Sequence, residues 1–361
     1  MTIAERIEPE FDAIKSEAFA GRLVGGLNDA ALMVMTSVGH RTGLFDAIAT
    51  LPPSTPEAIA ATTGLAPRYV REWLCVLATA RVVEHDATTG RFHLPPEHAA
   101  FVTRAAAPNN IAVTSQFIGV IAGVEDRIVK AFRTGEGVHY HAYGRFHDVM
   151  AEDSAQTVGA ALFEHILPLA PGLTARLQRG IDVVDVGCGA GRALLLMARA
   201  FQKSRFTGLD LCEDAFAEAQ VEAARTGVAN LSFEARDLAA DGIPDDYDLV
   251  TAFDAVHDQK DPQRLLTDIR AALRPDGVFL MQDIGGSSTL EGNMENPFAP
   301  FLYTMSTMHC TPVSLAQGGP GLGTMWGVEL AAEMLRKAGF EQVDLHRLPH
   351  DPVNAYFVAR V

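Results

Sequence analysis

Three glycines at alternate positions, in Gly187-Cys188-Gly189-Ala190-Gly191, follow the run Val183-Val184-Asp185-Val186 and precede a leucine-rich stretch. Strand, glycine turn and helix in that order let the chain reverse sharply and bring a ligand against bare backbone. That spacing alone fits many nucleotide loops. Arg192 stands where a dinucleotide fingerprint has its third glycine, so the pattern is GxGxG. Asp210, with Leu211 beside it, ends the next predicted strand, where a carboxylate accepts both hydroxyls of a ribose. Arg236-Asp237-Leu238 follows the third, offering a carboxylate for an exocyclic amine and an apolar contact for a base. Together these residues describe an adenosyl pocket along the carboxyl ends of three adjacent strands.

The elements that must carry them alternate regularly from residue 181 onward. Predicted strands cover 181–186, 205–210, 231–235, 247–253, 278–283, 343–348 and 355–361, with helices near 191–202, 213–226, 261–273 and 326–338. Such alternation implies right-handed crossovers and a parallel sheet covered on both faces. Only residues 349–352 join the last two strands, too few for a crossover helix, so these two should pair antiparallel.

The first half reads differently. Residues 10–50 show helical spacing through Ala18, Leu23, Leu27, Ala31 and Val34. Thr55-Pro56-Glu57 opens a short helix to residue 63, a second runs from 67 to 80, and segments 82–85 and 91–94 flank a glycine-containing turn. Helix, turn, helix and hairpin make a winged helix-turn-helix pattern, which serves either DNA recognition or dimerisation. Between residues 55 and 105, Arg68, Arg71, Arg81, Arg91 and Arg104 are balanced by Glu57, Glu72, Glu84, Asp86 and Glu97. The whole chain of 361 residues carries a formal charge of -16, whereas a nucleic-acid footprint is basic. Dimerisation is therefore the expected use. The expected division is a winged-helix domain at 1–106, a helical connector at 107–178 and the sheet domain at 179–361.

Four scattered cysteines without a CxxC pair suit a reducing compartment. The start carries Glu5, Glu8, Glu10 and Asp12 rather than a basic leader, and no apolar run reaches the ~20 residues that span a bilayer. A soluble cytoplasmic protein is the expectation.

With the glycine motif, Asp210, Asp237 and the final antiparallel strand in place, residues 181–361 resemble the class I S-adenosylmethionine-dependent methyltransferases. The resemblance implies an α/β fold: a seven-stranded Rossmann-like sheet with its last strand antiparallel, behind a mainly helical winged-helix domain. It implies S-adenosyl-L-methionine held by Gly187, Gly189 and Gly191 through its methionyl part, Asp210 on the ribose, and Asp237 with Leu238 on the base. Asp185 would order the loop, and Phe253-Asp254 would lie beside the methionine amino group. The whole chain is similar to small-molecule O-methyltransferases of plants and actinobacteria, which dimerise through the winged helix. In stretches such as 37–46 and 256–262 it is also similar to winged-helix members labelled transcriptional regulators.

In those plant enzymes a His-Asp pair at the place of His257-Asp258 supplies the general base. Imidazole suits that task, although a histidine here can equally pack beside the cofactor, and Gln259 replaces the family's aromatic. The stretch 284–324 is too long for a routine connection and reads as a flexible lid or substrate wall. It brings Asn293, Tyr303, His309 and Cys310, with Trp326 just beyond. From the connector, Tyr140, Tyr143 and Phe146 would close over a small acceptor; no metal site is expected among the neighbouring histidines. Methyl transfer to a hydroxyl is the leading expectation, with a cofactor-responsive regulator and a non-methylating relative as alternatives.

Overall fold

The computed structural model describes residues 11–244 and 246–361; Glu5, Glu8 and Glu10 of the acidic start lie outside them. Two compact units emerge, one reaching Ala106 and including Asn110–Ile118, the other comprising Ala107–Asn109 and Gly119–Val361.

In the first unit Asp12 caps α1 (Ala13–Thr42) by accepting from Lys15 N. The stretch 10–50 read as helical is helical with one break at Gly43, which adopts φ 73° and starts α2 (Leu44–Thr50). Glycine takes that left-handed conformation without a Cβ penalty. Thr55 caps α3 (Pro56–Thr63), whose first residue is a proline with no N–H to leave unpaired. Then α4 (Pro67–Thr79) buries Val70, Trp73, Leu74 and Leu77 at helical spacing. Trp73 Nε1 donates to Met35 O at 2.9 Å and its ring meets Phe45 edge-on. A Cβ at Gly39 would stand 2.6 Å from both rings, so only glycine lets α1 approach them. The wing follows as β1 (Glu84–Asp86) and β2 (Arg91–His93), antiparallel, with Ser54 bridged to Phe92.

The second unit holds β3 (Asp182–Val186), β4 (Arg205–Asp210), β5 (Leu231–Ala235), β6 (Tyr247–Phe253), β7 (Leu273–Ile284), β8 (Gln342–Leu348) and β9 (Asp351–Arg360). They lie in the order β5-β4-β3-β6-β7-β9-β8. All pairings are parallel except those of β9, which runs against both β7 and β8. The hairpin expected at 349–352 is present, and β9 inserts between its partner and the rest of the sheet. Alternate residues of the central strands divide between two cores. Val184, Val250, Phe279 and Met281 pack with helices Pro262–Ala272 and Gly327–Lys337. Val183, Leu249, Val278 and Leu280 pack with Leu162, Ile166, Leu173 and helix Arg192–Ala200. Each such side chain contributes about 1.5–3 kcal/mol when fully buried. Two-sided burial explains why these strands read as continuous apolar runs.

Three segments of this unit differ from expectation. β9 starts four residues early, at Asp351, which shortens the link to residues 349–350. β7 starts five residues early, at Leu273, through a register shift opposite Tyr247 and Leu249. The stretch expected as a lid loop is mostly helical: Leu290–Asn293, Ala299–Met305, a π-helical turn Ser306–Cys310, and Thr311–Ala316. Among the described residues no helix is long and apolar enough to cross a membrane.

Candidate functional site

The glycine turn leaves β3 at its carboxyl end. Gly187, Gly189 and Gly191 take φ of 69°, 49° and 62°. A Cβ at Gly187 would stand 2.6 Å from Ala255 Cβ, and one at Gly191 2.4 Å from the Phe233 ring. At Gly189 it would meet nothing within 4 Å. The turn is thus packed tightly beneath and open at its apex, as close ligand approach requires. Neighbouring Gly208 on β4 is as tightly held, 2.5 Å from Phe233 and 2.9 Å from Cys188 Sγ by the same measure. Sequence reasoning missed both Gly208 and Phe233.

Asp210 Oδ2 accepts from Gly189 N at 2.8 Å and Oδ1 from Cys212 N at 2.9 Å. The carboxylate therefore shapes the loop, and each oxygen keeps a second lone pair for a ligand. Leu211 beside it is 59% exposed. Asp185 is buried and accepts from Thr251 Oγ1 at 2.6 Å; burial pushes its pKa up to about 7 despite that bond. Arg192, in place of the third dinucleotide glycine, donates to Ala151 O and ties the loop to helix Phe146–Ser154. Asp237 Oδ1 caps helix Leu238–Asp241, accepting from Ala239 N and Ala240 N. Leu238 is packed into the core with Val186 and Leu209, leaving Leu211 as the exposed apolar side chain next to Asp210.

At the end of β6, Phe253 is half-buried and Asp254 sits at φ 57°, a strained conformation for a residue with a Cβ. Asp254 Oδ1 has no hydrogen-bond partner, and burial raises its pKa to about 7, with His257 opposing and Asp283 adding. A buried orphan acceptor beside Asp283 and Asp258 calls for a cationic ligand with N–H donors. An ammonium- and sulfonium-bearing nucleoside fits that demand.

His257 is 2% exposed, with Nδ1 2.8 Å from Asp283 Oδ1. Trp326 Nε1 and Ile284 N donate to that same oxygen at 2.9 and 2.8 Å. An acceptor already holding two donors fixes the His257 proton on Nδ1 and leaves Nε2 facing Asp258 Oδ1 at 3.3 Å. Burial works against charge on this ring, but Asp283 and Asp258 outweigh it and hold the pKa well above the usual histidine range. Asp283 was not singled out from sequence. The signal was there, a carboxylate closing the apolar run Val278-Phe279-Leu280-Met281 with Gln282.

Opposite stands an aromatic wall. His309 is fully buried and stacks on Phe146 at 3.6 Å and 7°, with Tyr143 and Tyr140 edge-on at 4.7 and 5.2 Å. Tyr143 Oη donates to Met308 O at 2.7 Å. Burial drives the His309 pKa down to about 4, so the ring is neutral. Connector and lid residues expected at the acceptor thus come together. Asn293 differs: its Nδ2 donates to Ser287 O, Thr289 O and Tyr303 Oη, and its Oδ1 accepts from Ser287 N. Its amide staples the lid's first turn. Trp326 reaches His257 only through Asp283.

Residues 30–104 match the model of an Rv2258c-like winged HTH domain, and residues 177–339 match that of a methyltransferase domain. The ubiquinone biosynthesis O-methyltransferase of Neisseria meningitidis serogroup C (strain 053442) is 33% identical over 112 residues, 29% of this chain and 45% of that protein. The match thus spans less than half that relative's length. Human N-acetylserotonin methyltransferase, solved with S-adenosylmethionine, superposes with a TM-score of 0.66 at 16% identity, covering 98% of this chain and 99% of that one. Mitomycin 7-O-methyltransferase MmcR gives 0.66 at 21% identity, covering 97% and 100%. At these identities the structural likeness speaks for the fold. Residues 30–104 thus match a winged-helix domain and residues 177–339 a methyltransferase domain, and the seven-stranded sheet has the fold of these solved methyltransferases.

Proposed function

We propose that the protein transfers the methyl group of S-adenosylmethionine to a hydroxyl of a small, apolar or aromatic acceptor. The observation that carries this reading is His257, fixed by Asp283 through Nδ1 with Nε2 directed away from it, four residues beyond the end of β6. When bound, the cofactor supplies an activated methyl on a sulfonium. Gly189 offers backbone to its methionyl part, Asp254 accepts from its ammonium, and Asp210 receives the ribose. Neutral His257 takes the acceptor's hydroxyl proton on Nε2, and Asp283 stabilises the imidazolium that forms. The carboxylates that favour charge on this ring also set a condition: the base works only once Nε2 is deprotonated, so transfer should rise with pH beyond the ordinary histidine range. Tyr140, Tyr143, Phe146 and His309 enclose an apolar acceptor and exclude water.

The winged-helix unit supports a dimer. Along α1, Phe19, Leu23, Leu27, Val34 and Val38 are between 37% and 71% exposed. A long apolar stripe of this kind is unusual on a monomer's surface. Its arginines argue against DNA: Arg68 pairs with Glu72 and Arg71 with Glu57. We read the protein as a cytoplasmic homodimeric enzyme rather than a cofactor-responsive regulator.

The test is labelled-methyl turnover against a panel of phenols and hydroxylated aromatics, after calorimetry with S-adenosylmethionine and its demethylated product. Binding of both and transfer to a hydroxyl are expected. Absence of cofactor binding would sink the reading, and sequence-selective retardation of genomic DNA would favour the regulator.

A further inference from the structure

We propose that His257, Asp258 and Cys310, with His309 beside them, form a binding site for a zinc-class divalent cation on the acceptor side of the pocket. The donor atoms of His257, Asp258 and Cys310 all lie within 4.8 Å of one another. His257 Nε2 is 3.3 Å from Asp258 Oδ1, Cys310 Sγ is 3.6 Å from His309 Nδ1, and His309 Nδ1 is 4.0 Å from Asp258 Oδ2. Zinc bonds of about 2.0–2.3 Å in a tetrahedron hold donors roughly 3.3–3.8 Å apart. The side chains need small adjustments only.

Thiolate, imidazole and carboxylate together favour zinc over the oxygen-seeking magnesium or calcium. The surroundings fit as well. A metal-bound histidine characteristically donates its other N–H to a carboxylate, which fixes the tautomer and raises ligand basicity. Asp283 holds His257 Nδ1 in that way and is itself fixed by Trp326 and Ile284. Asp258 Oδ1 is buried and accepts no hydrogen bond, an orphan that a cation would satisfy. Thr324 Oγ1 donates to Cys310 Sγ at 3.0 Å, orienting the sulfur. Loading the ion displaces the Cys310 thiol proton and any proton on His257 Nε2 to solvent. No sequence motif signals this site, because Cys310 and His309 come from the lid and His257 and Asp258 from the end of β6.

A bound ion takes the Nε2 lone pair that His257 needs as a base, so the loaded form is an inactive state of the proposed transferase that a chelator reverses; the readout is bound metal, which keeps failure of this inference distinguishable from failure of the methyl-transfer reading. Full-length protein, stripped with a chelator and desalted, is loaded with Zn²⁺ alone and separately with Co²⁺. About one equivalent of zinc should survive desalting, and the cobalt form should show an intense thiolate-to-metal charge-transfer band. Cys310→Ser should abolish that band, while Cys75→Ser, at an exposed cysteine elsewhere, should keep it. Zinc lost on desalting, or a band that persists in Cys310→Ser, overturns the proposal. Should Cys310→Ser fail to fold by circular dichroism, Asp258→Asn decides. Zinc affinity should then fall at least about tenfold, and unchanged affinity overturns the site.

Discussion

Around the glycine turn two carboxylates are held by backbone N–H groups: Asp210 by those of Gly189 and Cys212, Asp237 by those of Ala239 and Ala240. Across the strand ends the wiring is long-range. His257 depends on Asp283, Asp283 on Trp326, and Tyr143 on Met308 at a separation of 165 residues. There, buried polar atoms also lack partners, at Asp258 Oδ1, Asp283 Oδ2 and His309 Nε2, while Asp254 Oδ1 lies orphaned between the two sides. The glycine side thus rests Asp210 and Asp237 on backbone donors, whereas the His257 side rests on side chains that converge on one another. The unpartnered atoms mark the side where binding energy is still to be gained.

The comparison breaks most visibly at Asp283. Asp283→Asn keeps an oxygen for Trp326 and Ile284 but removes the charge that stabilises protonated His257. Transfer to a neutral hydroxyl should drop about 10²–10⁴-fold, the usual worth of a general base, while cofactor affinity by calorimetry hardly moves. A matching loss of cofactor affinity would show the two sides to be one unit.

His309 tests the wall's stability. Its native pKa of about 4 lies below the unfolded value near 6.5, so the unfolded state binds the proton first as pH falls. Stability should be full above pH 6.5 and decline by up to about 3 kcal/mol between there and pH 4. His309→Phe preserves the stack on Phe146 and should remove much of that acid loss in urea melts. An unchanged acid profile would assign the loss elsewhere.

The glycine side is sharpened by two substitutions that differ in surroundings. Gly191→Ala forces a Cβ into Phe233 at positive φ and should destabilise the fold by about 1–3 kcal/mol or more. Gly189→Ala meets open space, so it should cost less stability and more cofactor affinity. Equal effects on melting and binding would erase the distinction between packed base and open apex.

The smallest effect is expected at Asp254. With its pKa near 7, cofactor affinity should rise from pH 6 to 8 as the carboxylate ionises to meet the ammonium. Asp254→Asn should flatten that rise and weaken binding about tenfold at pH 8, the worth of one charge-assisted hydrogen bond. A profile as steep as the parent's would remove Asp254 from the cofactor.

What sequence reveals follows the same divide. Strands Arg205–Asp210, Leu231–Ala235 and Tyr247–Phe253 and helix Glu213–Thr226 coincide with their predicted bounds, because period and punctuation are local. The early start of β7 was hidden by Arg274-Pro275-Asp276-Gly277, which reads as a turn and lies within the register shift between Leu273, opposite Tyr247, and Val278, opposite Leu249. The lid's helices were hidden by glycines and prolines that mark its many short breaks. Asp283 escaped because nothing near it in the chain reveals that a histidine and a tryptophan will converge on one oxygen. Asn293 shows the reverse: a polar residue in a predicted substrate wall that instead binds its own backbone.

The placement of β9 bears on synthesis. A growing chain has emitted the glycine turn, β3 to β7 and His257 before β9 exists, yet β9 supplies the partners of Gln282 and Asp283, namely Tyr356 and Ala355. β8 joins the sheet through β9 alone. A nascent chain can therefore shape its nucleoside pocket on the ribosome while the wall bearing Asp283 stays unfinished. Loss of β9 would unseat two strands at once and leave the edge of β7 open to aggregation.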